Sequence, residues 1–353
     1  MKTRILFTSG REPEYPRIAV IRAALARNYE MINVSDSSRF LPVRYLRVAS
    51  HLLRATKTDF DLLFVGFLGQ PLMLMARRMT QKPILFDAFL SVYDTLCFDR
   101  RVFSPKSAMG KLAFWLDRTS CGNADQVLLD TQAHVDYFQQ TFRIPESKLK
   151  SLLVGCDEEI FYPRQKQSTT SLVLFYGSFL PLQGIDVIIR AAKLLDGRSN
   201  VQFRIIGTGM EAKHIHAVVK ELDVRNVSFL PPVQLGLLPE QIQEAEICLG
   251  GHFGASEKAA RVIAGKTFQC IAMGKPTIVG NNPANNELLR HGYDAWFCQM
   301  NNPEALAEAI LHLIGDPKLC IQLGKNAHQT FINRASIQAL SGQLRQIVDS
   351  MIG

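Results

Sequence analysis

The chain has 353 residues, 47% of them hydrophobic and 20% charged, which suits two domains with ordinary cores and leaves no room for a disordered majority. No apolar run reaches the eighteen or so residues of a membrane span, and the start, Met1 to Phe7, reads as a basic pair and a strand rather than a secretory signal. The seven cysteines are scattered without a CxxC pair, so neither a disulfide framework nor a zinc site is expected; the net charge of +8 favours anionic partners, and the cytoplasm is the expected compartment.

Short β-branched runs alternate with longer amphipathic stretches from one end to the other. In the first half, strands are predicted at 4–9, 30–34, 61–67, 83–87, 126–130 and 151–154. After the first strand comes a polar loop from Gly10 to Arg17. Residues 39–57 place Arg44, Arg47, His51 and Arg54 on one helical face. Such a stripe either rests on anionic lipid, as a peripheral contact at the inner face of a membrane, or simply faces water. The segment DAFLSVYD ends the strand at 83–87 and carries two acids, Asp87 and Asp94.

Residues 161–171, FYPRQKQSTTS, are polar, contain a proline and break the alternation, so they read as a linker. A second series of strands follows at 172–176, 201–206, 227–230, 247–250, 276–279 and 295–298. The stretch 317–351 is helical in pattern and long enough to return towards the first domain. The predicted division is therefore 1–163, 164–334 and a final helical piece, 335–353, packing back on the first domain. Strand–helix alternation predicts an α/β fold with two doubly wound parallel sheets, and in such sheets ligands bind beyond the carboxyl ends of the strands.

Three strand ends in the second half have phosphate-binding character. In LVLFYGSFLPLQG, Gly177 ends a strand and Gly184 opens a helix, which permits close backbone approach to a phosphate and is equally a plain βα turn. In IIGTGME, Gly207 and Gly209 form a turn shorter than the dinucleotide fingerprint, with no ribose-binding acid at the expected distance, which argues against an NAD enzyme. The densest stretch is 249–287. A GHFG turn at 251–254 is followed by Lys258, Arg261 and Lys266, then by a helix that Gly274 ends and Pro276 restarts as a strand. Three cations here read either as a diphosphate clamp, stabilising the charge that grows on a leaving phosphate, or as a solvated basic face.

On KTFQCIAMGKP at 266–276, the Phe253-Gly254 turn, the run Lys258-Ala-Ala-Arg261-Val-Ile and the segment Asn285-Asn-Glu287-Leu-Leu with Gly292, the sequence resembles glycosyltransferase family 4. The resemblance is strongest over 172–315 and extends across nearly the whole chain. It implies a GT-B fold, two Rossmann-like doubly wound domains facing across a cleft. It also implies retaining transfer of a hexose-type sugar from a nucleotide diphosphate to an acceptor hydroxyl, in cell-surface polysaccharide or glycolipid synthesis. The nucleotide sugar is then a co-substrate, with no separate cofactor and no metal. The acceptor is a carbohydrate or is lipid-linked.

Carried onto this sequence, the resemblance implies donor contacts at Gly177, Ser178, Gln183, Gly207, Gly209, Gly254, Lys258, Arg261, Lys266, Gln269 and Glu287. It implies acceptor contacts at Tyr15, Arg17 and Asp94, with Asp87 and Lys266 at the reacting centre. The family's second donor-site glutamate falls on Gln269, and its arginine and lysine beside the first glycine turn fall on Ser178 and Gln183. Lys258, Arg261 and Lys266 are expected to replace the missing charge. Retaining transfer in the family needs no strong protein base, because the departing phosphate takes the acceptor proton. Two other readings share the fold. A sugar-nucleotide epimerase would need acids and a histidine where 251–266 offers only Glu257, and a non-catalytic sugar-nucleotide-binding partner would fit the changes at Gln269, Ser178 and Gln183. Nucleic acid is not expected, since the basic residues are not interleaved with aromatics.

Overall fold

The computed structural model describes residues 2–164, 171–197 and 201–353. The chain divides into two units, Met1–Asp157 with Ala335–Gly353, and Glu158–Arg334. The central part of the linker expected at 161–171 lies outside the described residues.

The first unit runs β1 (Arg4–Ser9), α1 (Pro16–Ala26), β2 (Glu30–Val34), α2 (Leu41–Ala55), β3 (Leu62–Gly66), α3 (Gln70–Met79), β4 (Ile84–Phe89), α4 (Val92–Asp94), α5 (Ala108–Asn123), β5 (Gln126–Leu129), α6 (Gln132–Phe142) and β6 (Leu149–Ser151). Its sheet is parallel throughout, in the order β2-β1-β3-β4-β5-β6. The order reverses between β1 and β3, which makes that junction the switch point of a flavodoxin-like sheet.

Both faces of this sheet are covered, and the period of two in each strand decides which side chain goes where. Leu6, Leu63, Val65 and Phe86 point to one side, where Val48, Leu52, Leu72, Met73 and Cys121 of α2, α3 and α5 meet them. Ile5, Phe7, Leu62, Phe64 and Leu85 point to the other, against Ile18, Ile21 and Leu25 of α1 and Leu340, Leu344 and Val348 of the C-terminal helix. That helix is therefore part of this layer and not an appendage. Its Ser341 donates to the carbonyl of Ala24 at 2.8 Å, and Tyr29 donates to Asp349 at 2.8 Å.

The second unit runs β7 (Leu172–Tyr176), α7 (Ile185–Leu194), β8 (Gln202–Ile206), α8 (Ala212–Glu221), β9 (Val227–Leu230), α9 (Leu238–Glu244), β10 (Ile247–Leu249), α10 (Glu257–Arg261), α11 (Gly265–Ala272), β11 (Thr277–Gly280), α12 (Pro283–Leu288), β12 (Trp296–Cys298), α13 (Pro303–Gly315) and α14 (Pro317–Arg334). The chain then enters α15 (Ile337–Ile352), the C-terminal helix of the first unit. The sheet order is β12-β11-β10-β7-β8-β9, again all parallel, and it reverses between β7 and β10. This is the Rossmann order, with one half of the sheet on either side of β7 and β10. Val173, Phe175, Phe203, Ile205 and Leu249 form its main core with α7 and α13.

One predicted strand is displaced. The sixth was expected at 151–154 and instead spans Leu149–Ser151. Past Ser151 the carbonyls of Leu152 and Leu153 turn to the guanidinium of Arg17, at 2.8 and 2.9 Å, and leave the ladder. The fourth strand extends beyond its predicted end at Asp87 to Phe89, whose φ of +62° takes the chain out of the sheet.

Candidate functional site

At the switch point of the second unit, glycines end three adjacent strands: Gly177 after β7, Gly207 after β8, and Gly250 with Gly251 after β10. Two of these positions require glycine. Gly207 has φ +140°, and a Cβ there would lie 2.0 Å from the carbonyl oxygen of Gly177. Gly184 has φ +65°, and a Cβ there would lie 2.4 Å from the amide of Gly254. The loops after the strands are consequently laced together. The amide of Phe179 donates to Thr208 at 2.9 Å, and those of Phe253 and Gly254 donate to Gln183 and Leu182, each at 3.2 Å.

Lys266, the second residue of α11, comes up into this junction. Its ammonium donates to the side-chain oxygen of Gln183 and lies 4.6 Å from the centre of the Phe175 ring. A Cβ on Gly251 would be 3.3 Å from that nitrogen, and one on Gly177 would be 3.8 Å from it. The side chain thus ends between the carboxyl ends of β7 and β10. The residue is only 6% exposed, and burial lowers its pKa from 10.5 to about 7. Among the described residues no carboxylate pairs with it. Gly177, Gln183, Gly207, Gly254 and Lys266, all expected to serve the donor, are gathered here, with Ser178 exposed on the first loop and Gly209 on the second.

The other expected donor residues have different surroundings. Lys258 is buried on α10, and it acts with Lys266 on His252, whose pKa is held well below its ordinary value by burial first and by the two lysines next. Arg261 is largely buried and donates to the exposed Glu257 of the same helix at 3.3 Å. Gln269 is buried, and its side-chain oxygen accepts from the Tyr176 hydroxyl at 2.9 Å, so that oxygen serves the β7–α11 packing. Glu287 is half-buried on α12, a helix capped by Asn282, whose amide donates to the carbonyl of Ala259 at 3.2 Å and ties α12 to α10.

His252 was not singled out from the sequence. It is buried, and among the described residues its Nδ1 has no hydrogen-bond partner. Only its place inside the GHFG turn could have pointed to it, since a lone histidine carries no periodic signal.

The first unit corrects three expectations. Arg17 was expected to touch the acceptor and Asp87 to take part in the chemistry. Both are fully buried and bind each other through two bonds, Nη2 to Oδ1 at 2.8 Å and Nε to Oδ2 at 3.2 Å. Burial pushes the Asp87 carboxyl up, and Arg17 pulls it back. With both oxygens engaged and no open face, the pair links α1, β4 and the chain leaving β6. Asp94, also expected at the acceptor, is buried behind the Ser91 cap of α4. Tyr15 alone of these residues retains partial exposure. It stands beside Phe67 at 5.1 Å, with the Arg11 guanidinium 4.9 Å from its ring centre.

The basic stripe on α2 is also not a free face. Arg44 is buried, donating to Glu12 at 2.9 Å and to the carbonyl of Ser38 at 2.8 Å, and Arg47 donates to the Ser38 hydroxyl at 2.9 Å. Two of its four members are spent on the loops at the carboxyl edge of β1 and β2, while His51 and Arg54 remain exposed.

Residues 157–330 match the family model for glycosyl transferases group 1. An uncharacterized glycosyltransferase of Methanocaldococcus jannaschii is 25% identical over 175 residues, 50% of this chain and 46% of the relative. The alpha-D-kanosaminyltransferase of Streptomyces kanamyceticus is 22% identical over 273 residues, 73% of this chain and 67% of the relative. The chain spans 46% and 60% of the length of two curated relatives, so about half of each is matched. Among solved structures, sucrose-phosphate synthase of Thermosynechococcus elongatus superposes with a TM-score of 0.77 at 14% identity, covering 99% of each chain. HepE of Anabaena in complex with UDP-glucose superposes with a TM-score of 0.74 at 15% identity, covering 98% of this chain and 99% of that one. The second unit is thus similar to the glycosyl transferases group 1, and the chain as a whole has the GT-B fold.

Proposed function

We propose that the protein transfers a sugar from a nucleotide diphosphate to an acceptor hydroxyl, with the second unit binding the donor. The observation that carries this reading is Lys266, a buried cation at the β7/β10 switch point, beside Gly177 and Gly251 and with no carboxylate partner among the described residues. A diphosphate placed there supplies the missing counter-charge, and its charge grows as the sugar–phosphate bond breaks, so the same cation favours the transition state over the ground state.

The proposed stereochemical course is retention. It rests on the resemblance to family 4 and on the state of Asp87, which has no free oxygen to serve as a base on the acceptor. In that course the departing phosphate takes the acceptor proton. The proposed acceptor is a carbohydrate or a lipid-linked sugar in surface polysaccharide or glycolipid synthesis. The cytoplasm is the proposed compartment, in keeping with seven cysteines that are all free thiols.

UDP-glucose is the first donor to test, because the HepE structure holds it. A panel of nucleotide sugars is screened for thermal stabilisation, and the best is followed for release of nucleoside diphosphate in the presence of sugar acceptors. A ligand at a hundred times its Kd stabilises by about 2.7 kcal/mol. If no nucleotide sugar raises the melting temperature, the donor-site reading fails. The anomeric configuration of the product, read by NMR, decides between retention and inversion.

A further inference from the structure

In the first unit, α2, α3 and α5 lie side by side over one face of the sheet, with α3 packed against both neighbours. Their inward residues are those of the core. Their outward residues are not the polar set that water-facing helices usually carry. Leu46, 73% exposed, and Leu53 stand on the outside of α2, and Met75 on the outside of α3. On α5, Met109, Leu112 and Trp115 follow at three-residue spacing along one stripe, with Trp115 49% exposed. Single exposed apolar residues need no explanation, but three adjacent helices contributing to the same layer surface do.

The charges among them are of one sign. Arg54 of α2, Arg78 of α3, and Lys111 and Arg118 of α5 are exposed. The sequences of α2 and α3 contain no acid. The one acid of α5, Asp117, is buried and bonded to the Ser91 hydroxyl at 2.7 Å and the Tyr93 amide at 2.9 Å. A second copy of this chain would bring the same cations against these across a two-fold axis, so like charge opposes self-association. No helix among the described residues is long and apolar enough to cross a membrane.

We propose that this outer face of the α2–α3–α5 layer docks on an anionic lipid bilayer. An anionic bilayer offers both complements at once. Leucine, methionine and tryptophan side chains enter the headgroup boundary, and the lysine and arginine heads stay level with the lipid phosphates. The surface is larger than the basic stripe on α2 alone, and α5 contributes three of its six exposed apolar residues. It stands independently of the glycosyl-transfer reading, because it uses no residue of the second unit.

The test uses the full chain and sedimentation with vesicles of phosphatidylcholine, with and without about one third phosphatidylglycerol. Binding to the anionic vesicles alone, weakened by salt, is expected. Of the two tryptophans, Trp296 is stacked on His312 at 4.4 Å, so a blue shift of emission on binding should come from Trp115 and vanish in Trp115→Phe. Leu112→Gln with Trp115→Gln should abolish binding. Arg54→Glu with Lys111→Glu should lower the partition coefficient by at least about fivefold for each cation removed. Unchanged melting temperatures and circular dichroism show that the variants are folded. No binding to anionic vesicles, or binding untouched by both variant pairs, overturns the proposal. So does an oligomer in solution that Leu112→Gln with Trp115→Gln dissolves, which would make a second copy the occupant.

Discussion

The ammonium of Lys266 donates to the side-chain oxygen of Gln183, joining the start of α11 to the loop after β7. The partner is neutral, so the positive charge is left uncompensated while it is held away from water. Burial is the cause of its lowered pKa of about 7. Replacing a buried, unneutralised charge by an apolar chain of similar shape is generally neutral or stabilising. Lys266→Met is expected to raise the stability of the unliganded protein by about 1–2 kcal/mol and to remove stabilisation by UDP-glucose. Paired thermal melts with and without the nucleotide sugar check both halves. A variant that melts higher yet keeps its ligand shift would show that Lys266 does not grip the donor.

The same lysine sets a pH dependence. With a folded value near 7 and an ordinary value of 10.5, the folded chain binds fewer protons than the unfolded chain between those limits. Stability of the unliganded protein therefore rises with pH across that interval, the penalty being full below 7 and gone above the unfolded value. Urea titrations at a series of pH values should show this rise in the native protein and its absence in Lys266→Met. A diphosphate at the site restores the ordinary affinity for the proton, so donor binding at pH 8 should take up protons. Calorimetry in two buffers of different ionisation enthalpy reads that uptake directly.

Among the described residues Arg17 and Asp87 are each other's only charged partners by direct bond, and both are shut from solvent. Removing one leaves the other buried and unpaired, which costs about 3–5 kcal/mol. Arg17→Met also strips the carbonyls of Leu152 and Leu153 of their donor. We expect Arg17→Met and Asp87→Asn each to be strongly destabilised in urea, and a double-mutant cycle to show a large coupling between them. Loss of a general base costs about 10²–10⁴ in rate. Asp87→Asn should instead keep its rate per folded molecule within about tenfold, the outcome that separates a structural pair from a catalytic one.

Gly207 and Gly265 both flank the proposed donor site and predict opposite outcomes. A Cβ at Gly207 would overlap the backbone of Gly177 at 2.0 Å, and its φ of +140° excludes other residues, whereas a Cβ at Gly265 meets nothing within 4 Å. Gly207→Ala should therefore destabilise by more than about 2 kcal/mol and weaken donor binding with it. Gly265→Ala should be neutral or stabilising by up to about 1 kcal/mol, with its ligand shift intact. Equal behaviour of the two variants would mean that the close approach of the β7 and β8 loops does not hold the site.

The fold was largely legible because a parallel sheet covered on both faces writes itself as short apolar strands between amphipathic helices. Each of the twelve predicted strand regions overlaps a strand, the one at 151–154 by Ser151 alone, and ten of them begin and end within a residue or so of expectation. The exceptions are instructive. The displacement of β6 depends on Arg17, 135 positions away along the chain from the carbonyl of Leu152 that it captures. The end of β4 is set by a left-handed residue, Phe89, where glycine would have been the sequence signal. That the glycine turns and Lys266 would lie at the strand ends could also be read in advance, since turns beyond strand ends leave local traces.

By itself the sequence determined two doubly wound sheets and the glycine turns at their strand ends, because strand period, helix period and glycine turns are local properties of the chain. Only the tertiary structure decided which charges remain available. Arg17, Asp87, Asp94 and Arg44 look like site or surface residues in one dimension and are enclosed in three, while Lys266 is buried with no carboxylate partner among the described residues and Trp115 is half-exposed. The reason is that a charge's availability depends on what long-range packing places beside it, and solvation and pairing free energies depend on those neighbours and not on residue type.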